Sequence, residues 1–275
     1  MPASLVMVKA DKQPVVMTIA GFDPSGGAGV LADIKTISAF GCYGVAVITS
    51  ITFQNTEQLF GVEHQSAEAV RRQLAALFDD FEIAAVKTGM LPSAEIVQQV
   101  TDAIKAQAIR TVVVDPVLRS SSGHKLADEL AIGATVKHLF PLASLVTPNA
   151  AEANRITKIE TLDKYGIERA AQAILNSGAK AVLITGGDAG SDQSSDLLVD
   201  SEGAAVYEGE RIKSRHTHGT GCTFASAIAC LLARGRSLRE SVPIAKRYVA
   251  EAIRNAPALG RGHGPLNHLP PGFEI

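Results

Sequence analysis

From its amino end, the chain alternates solid apolar runs with segments whose apolar positions recur every three or four residues. Residues 15–20 (VVMTIA) read as a buried strand, and 29–40 carry Val30, Ile34 and Ile37 on one helical face. Further strands are expected over 45–51, 83–87, 111–115, 144–147 and 181–185. Helices are expected over 67–78, 93–106, 126–138 and 164–176, with a short one from Ala150. Ser93 is placed to cap its helix, and Glu95 stands on the favourable side of the dipole. A hairpin is expected around 200–203, and two long helices, about 222–234 and 238–255, follow it. Solid Val/Ile strands separated by helices belong to a mostly parallel sheet covered on both faces, an α/β/α sandwich. The polar, strand-like stretch 50–61 (SITFQNTEQLFG) has no clear core face and reads as a small β flap over a site.

Ligands of an open parallel sheet bind beyond the carboxyl ends of its strands. The segments after the expected strands are 21–29, 52–55, 88–90, 115–117, 147–152 and 186–188, and all of them hold Gly or polar side chains. At roughly 150 residues per domain, a chain of 275 residues makes one large domain or two small ones. With no repeat and no Pro/Ser linker, one domain over 1–275 is expected, with 1–13 and the Gly/Pro-rich 260–275 as peripheral tails. A composition 46% apolar and 20% charged is that of a folded globular protein and excludes disorder over most of the length. A net charge of −2 gives no basic face for nucleic acid or membrane. The cysteines are Cys42, Cys222 and Cys230, without a Cys-x-x-Cys pair, which excludes a zinc knuckle or a disulfide scaffold. Reduced thiols in a cytoplasm fit best, and the amino end lacks the pattern of a signal peptide.

Two Gly-rich segments carry the first candidate chemistry. GFDPSGGAG (21–29) leads into a helix that holds Asp33. Its end formally matches the dinucleotide pattern G-x-G-x-x-A. However, six residues separate Ala20 from Gly27, and Val47-Ile48-Thr49-Ser50 stands where an acidic ribose partner belongs. The loop is therefore a structural turn or a place where a ligand approaches the backbone. HTHGTGCT (216–223) feeds a Gly-rich turn into an apolar helix. The N–H groups of that first turn, with the dipole behind them, make an anion site suited to phosphate. The plainer reading is a helix start with a small buried Cys. A thiol at Cys222 is expected to have a lowered pKa there, whereas Cys230 and Cys42 read as core.

TPNAAE (147–152) offers Asn149 as an N-cap with Glu152 three residues on, half of a capping box. Its alternative is a carboxylate that holds Mg²⁺ near phosphates. Asp115 ends a strand, a position shared by catalytic acids, metal ligands and turn formers. The chain has neither a GxxxxGK[ST] phosphate loop nor an HExxH metal pair.

These segments together resemble the ribokinase-like superfamily of small-molecule kinases. Within it, the likeness is to the hydroxymethylpyrimidine/phosphomethylpyrimidine kinases of thiamin synthesis. The motifs are TIAGFDPSGGAGVLADIKT (18–36), TFQNT (52–56), KTGML (87–91), VDPV (114–117), TPNAAE (147–152), ITGGD (184–188) and THGTGCT (217–223). The resemblance implies a three-layer sandwich with ATP as co-substrate, Mg²⁺ as cofactor and K⁺ as a further candidate. It also implies a homodimer that phosphorylates a small pyrimidine and then its monophosphate. By the same resemblance, Gly219, Thr220, Gly221 and Cys222 hold the migrating phosphoryl group, with Cys222 where sugar kinases have an Asp base. Asp115, Asn149 and Glu152 serve Mg²⁺ and the phosphates, and Thr185, Gly186, Gly187 and Thr217 contact the nucleotide. Gly21, Asp33, Gln54, Met90, Val117 and Cys222 line up with the pyrimidine pocket. One departure is Thr185, where many pyrimidine kinases carry Lys and some bacterial pyridoxal kinases carry Thr. A pyridoxal/pyridoxine kinase is therefore the alternative. A hydrolase or transferase using Cys222 with His216 or His218 as base is a more distant one.

Overall fold

The computed structural model describes residues 13–120, 123–161, 163–186 and 193–273. Neighbouring residues of the apolar runs go to opposite faces of one sheet. Met17 and Ile19 enter one core, and Val16 enters the other; Val112 and Val114 oppose Val113 in the same way. A strand buried on both sides has no polar face to present, so its sequence reads as a solid run.

The strands are β1 (Val15–Phe22), β2 (Tyr43–Gln54), β3 (Leu59–His64), β4 (Ile83–Thr88), β5 (Val112–Val114), β6 (Leu145–Val146), β7 (Val182–Ile184), β8 (Gln193–Asp200) and β9 (Gly203–Glu210). They form a sheet in the order β3-β2-β1-β4-β5-β6-β7-β8-β9. β2, β1, β4, β5, β6 and β7 pair parallel, while β3 and β8 pair antiparallel to their neighbours. β8 and β9 form the hairpin expected from the turn at 200–203.

Helices α1 (Gly29–Ala39), α7 (Thr220–Ala233) and α8 (Leu238–Arg254) cover one face. On the other lie α2 (Ala67–Asp80), α3 (Ala94–Ala106), α4 (Glu129–Ala134), α5 (Ala150–Thr157) and α6 (Lys164–Asn176). Ser93 caps α3 as expected, accepting from the Ile96 N–H. α7 buries an unbroken run from Thr223 to Leu231, which places a helix start beside the centre of the sheet.

Three expectations are corrected. The helix expected over 126–138 is the short α4, continued by a wider turn at Thr135–Leu139; Asp128 caps its start and accepts from the Ala131 N–H. The stretch 50–61 is not a separate flap over its whole length. It is the end of β2, which runs to Gln54, a tight turn, and the start of the edge strand β3. The segment 260–273 is irregular but not peripheral. Leu266 and His268 are buried, Tyr248 donates to the His268 carbonyl at 2.7 Å, and the Phe273 ring packs at a tilt against that of Tyr248, 4.9 Å between centroids.

Candidate active site

The carboxyl ends of β1, β2, β4, β5, β6 and β7 and the amino end of α7 open into one cleft of about 1150 Å³. That is larger than a single small ligand needs, since such pockets run from about 300 to 1,000 Å³. One end is lined by Gly21, Gln54, Met90 and Val117, with Thr52 beside them. Thr49 donates to the Met90 carbonyl at 2.7 Å, and Thr52 to that of Phe22 at 3.0 Å, so hydroxyls buried in β2 fix this wall. Gln54 supplies both a donor and an acceptor, and Met90 and Val117 supply apolar contact for a flat ring.

In the middle of the cleft lie Gly219, Thr220, Gly221 and Cys222. Gly219 caps α7 with φ +83° and brings no side chain to its N–H groups. A Cβ at this position would sit 1.9 Å from the Gly27 carbonyl oxygen, so only glycine lets the two Gly-rich loops meet backbone to backbone. Thr220 folds its hydroxyl back onto the Thr217 carbonyl at 2.6 Å, which stiffens the turn. The result is the start of a 14-residue helix with no side-chain cap, facing the cleft, an arrangement that favours an anion.

His218 joins the two loops a second time. Its Nε2 lies 2.8 Å from Asp23 Oδ2, and Asp23 also accepts from the N–H groups of Ser25 and Ala28, both at 2.9 Å. Burial pushes the Asp23 carboxyl up, but hydrogen bonds from His218, Gln54 and Ser25 outweigh it and hold the group down at about 2. Asp23 thus stays ionised and touches the side chain at the acceptor end. The sequence reading missed Asp23 and gave His218 a role only as a candidate base for Cys222, whereas its ring is turned to Asp23. The available signal was an Asp opening an Asp-Pro-Ser-Gly turn.

Asp33 is not where the resemblance puts it. It is wholly buried beneath the cleft, accepting from Thr18 at 2.6 Å, Ser226 at 2.8 Å and Lys87 at 3.0 Å on both oxygens. Its acceptor capacity is spent inside the protein, so it supports the floor rather than meeting a ligand. Lys87 is also wholly buried and lies 3.6 Å from Asp115 Oδ2. Burial pulls its ammonium down, yet the charges of Asp33 and Asp115, with the hydrogen bond to Asp33, override this and raise it above the usual lysine range. A lysine inside the apolar run of β4 was the sequence signal for this pair, because a buried ammonium needs a counter-ion.

The Cys222 thiol departs from expectation. Burial pushes it up to about 12, and the nearby Asp115 and Asp33 carboxylates add to the rise against the opposing pull of Lys87. The helix start does not overcome this, so the group is a thiol at neutral pH. A thiol held that high is almost wholly protonated at neutral pH and carries far less thiolate than an ordinary cysteine. Iodoacetamide labelling of Cys222, read by peptide mass, is therefore expected to be slow at pH 8 and to keep accelerating to pH 10 without a plateau. A plateau near pH 7 would contradict this. The same state weakens the Cys-nucleophile alternative.

Asp115 and Glu152 face the cleft next to the anion site. Asn149 and Glu152 form a complete capping box: the Asn149 side chain accepts from the Glu152 N–H, and Glu152 Oε2 accepts from the Asn149 N–H at 2.9 Å. Burial raises the Glu152 carboxyl to about 8, helped by repulsion from Asp115. Burial raises Asp115 as well, against the attraction of Lys87. Asp115 Oδ2 is buried without a hydrogen-bond partner. Two crowded carboxylates, one with a buried oxygen that has only the Lys87 ammonium at 3.6 Å and no hydrogen bond, fit a divalent cation. Among the described residues no group of three or more His, Cys, Asp or Glu side chains is arranged to hold a metal. The pair of carboxylates suits Mg²⁺, which usually takes one or two carboxylates and completes its shell with water and phosphate.

Because the Glu152 carboxyl is higher in the folded protein than its unfolded value of 4.5, its contribution to stability is complete below pH 4.5. That contribution is lost as pH rises through about 8. Glu152→Gln is expected to flatten the loss of unfolding free energy over this window in denaturant titrations. An unchanged slope would contradict it.

At the far end of the cleft, Thr185 bridges to Asn149, and its N–H donates to the Pro148 carbonyl at 3.0 Å. The Gly186 N–H donates to Asp196 at 3.0 Å, and Asp196 pairs with Lys246. Thr185, Gly186 and Thr217 all line the cleft, whereas Gly187 lies outside the described residues.

The sequence profile described as phosphomethylpyrimidine kinase matches residues 23–267. The hydroxymethylpyrimidine/phosphomethylpyrimidine kinase of Rhizobium meliloti is 43% identical over 258 residues, covering 93% of this chain and 97% of that protein. The thiamine biosynthesis bifunctional protein ThiED of Geobacter sulfurreducens is 45% identical over 254 residues, 92% of this chain, which spans only 52% of that longer protein. Among solved structures, phosphomethylpyrimidine kinase from Clostridium difficile superposes with a TM-score of 0.77 at 40% identity, covering 88% of this chain and all of that one. An ADP complex of Bacillus subtilis pyridoxal kinase superposes with a TM-score of 0.87 at 34% identity, covering 94% and 98%. The fold is thus that of the ribokinase-like vitamin kinases. With a profile match over most of its length, a helix start open to phosphate and a carboxylate pair beside it, the chain belongs to the phosphomethylpyrimidine kinase family of small-molecule kinases.

Proposed function

We propose that the protein transfers the γ-phosphoryl group of ATP to the hydroxymethyl group of 4-amino-5-hydroxymethyl-2-methylpyrimidine, and then phosphorylates the monophosphate, as a step of thiamin biosynthesis. The observation that carries this reading is the continuity of the cleft: the Gln54 end, the anion site at Gly219–Cys222 and the Thr185 end share one space. Gln54 meets the nitrogen-rich edge of an aminopyrimidine, and Met90 and Val117 meet its ring. The hydroxymethyl oxygen is then directed at the start of α7. Phosphoryl transfer proceeds through a loose transition state, so positioning and charge neutralisation do most of the catalysis.

Asp115 and Glu152 would hold Mg²⁺, with Asn149 orienting Glu152, and the ion would supply neutralisation of phosphate charge. Cys222, protonated at neutral pH, acts as an S–H donor and spacer at the phosphoryl site rather than as a base. Cys222→Ala is expected to lower turnover about tenfold, in keeping with a weak donor. Three unpaired thiols support a cytoplasmic setting. Among the described residues no helix is long and apolar enough to cross a membrane. The test is mass spectrometry of the pyrimidine after incubation with Mg²⁺-ATP. Products carrying one and then two phosphoryl groups support the proposal, and an unmodified pyrimidine refutes it.

A further inference from the structure

The segment 260–265 lies outside the cleft, yet within four residues it bonds to the tips of both loops that shape it. The Gly262 N–H donates to the Thr56 hydroxyl at 3.2 Å, and the His263 N–H donates to the Thr56 carbonyl at 2.7 Å. Thr56 follows Gln54 by two residues, in the turn between β2 and β3. One residue further on, the Gly264 carbonyl accepts from the His218 N–H at 3.3 Å, and Pro265 bridges to His218. His218 directly precedes Gly219. The far end is anchored: His268 Nε2 lies 3.2 Å from the Thr223 hydroxyl, and its carbonyl accepts from Tyr248.

Side chains are excluded from both contacts. A Cβ on Gly262 would lie 2.1 Å from the Thr56 carbonyl oxygen, and one on Gly264 would lie 2.2 Å from His216 Nδ1 and 2.6 Å from the Leu259 carbonyl oxygen. The glycines permit an approach closer than any other residue allows. The exposed pair of Arg261 with Glu57, at 3.2 Å, adds a charge contact on the same side.

We infer that residues 260–265 are a positioning strap that ties the acceptor turn carrying Gln54 to the phosphate loop, so that filling the acceptor pocket orders the anion site. This rests on the proposed kinase reading for what fills the pocket. The strap contacts neither ligand itself. It acts through Thr56 on one side and His218 on the other, with an anchored stretch of backbone between them.

Two experiments test the strap. In the first, Gly262→Ala is assayed with pyrimidine and pyridoxal acceptors, and the split is read on whichever acceptor the unaltered protein turns over. The variant is expected to raise acceptor KM about tenfold, because ångström-scale displacement costs up to about 100-fold, with ATP KM within about twofold. A merely structural role would lower the unfolding midpoint and leave both KM values in place, and that result overturns the inference. Turnover of pyridoxal alone refutes the substrate reading and leaves the strap to be judged on its own split.

The second uses the unaltered protein, so a variant that fails to fold does not decide the matter. Hydrogen exchange with acceptor alone, no nucleotide present, is expected to slow at 53–58, at 260–265 and also at 215–219. Slowing confined to 53–58 overturns the coupling.

Discussion

Lys87→Met is expected to cost about 3–5 kcal/mol of folding stability, the usual loss when one partner of a buried ion pair is removed. Folded domains hold only about 5–15 kcal/mol in total, so the unfolding midpoint is expected to fall by about 6–20 °C. Three facts set this size. Lys87 and Asp33 are both fully buried, both Asp33 oxygens lie 3.0 Å from the ammonium, and Asp115 stands 3.6 Å away. Removing the ammonium strands two carboxylates in the interior. Pairing the change with Asp33→Asn removes one of those charges along with its partner, and most of the lost stability is expected to return. Calorimetry of the single and double variants checks this. A single variant within about 1 kcal/mol of the unaltered protein would show that the pair does not hold the floor of the cleft.

The second large effect is on catalysis. Gly219→Ala places a methyl group 1.9 Å from the Gly27 carbonyl oxygen at a residue with φ +83°. Backbone cannot yield as a flexible side chain does, so the two loops separate and the N–H groups of α7 lose their aim. Loss of an anion-site donor costs about 10²–10³ in turnover, and kcat is expected to fall by that amount. The left-handed conformation costs alanine only about 1–2 kcal/mol, so the variant is expected to remain folded. Steady-state kinetics beside a thermal melt separates these effects. A variant with kcat within about threefold of the original would mean that the helix start does not hold the phosphoryl group.

Much of this was legible in the residues. Parallel strands buried on both faces write themselves as apolar runs, so β1, β4, β5 and β7 were placed to within a few residues. Gly-rich loops at strand ends pointed to the cleft, because glycine is conspicuous where backbones meet. What stayed hidden depends on distant partners. Asp33 reads as a polar residue on a helix near a loop, and only the fold reveals that Thr18, Ser226 and Lys87 take up its oxygens. The Cys222 position suggested a lowered thiol, because a helix start is visible in sequence while burial and the carboxylates of Asp115 and Asp33 are not. The role of 260–265 was invisible for the same reason: its partners Thr56 and His218 lie far away along the chain, and Gly/Pro-rich sequence normally marks a loose end.

The choice of acceptor is central. The greater structural likeness to a pyridoxal kinase, and Thr185 itself, stand against the higher sequence identity to a phosphomethylpyrimidine kinase. The most direct measurement is ADP release with Mg²⁺-ATP and, in parallel, hydroxymethylpyrimidine, its monophosphate and pyridoxal. Both pyrimidines are expected to be turned over with kcat/KM more than about tenfold above pyridoxal, since a pocket built to hydrogen-bond one ring edge rejects another. A preference for pyridoxal would contradict the account, leaving the kinase in place and the assignment of Gln54 to the pyrimidine edge wrong.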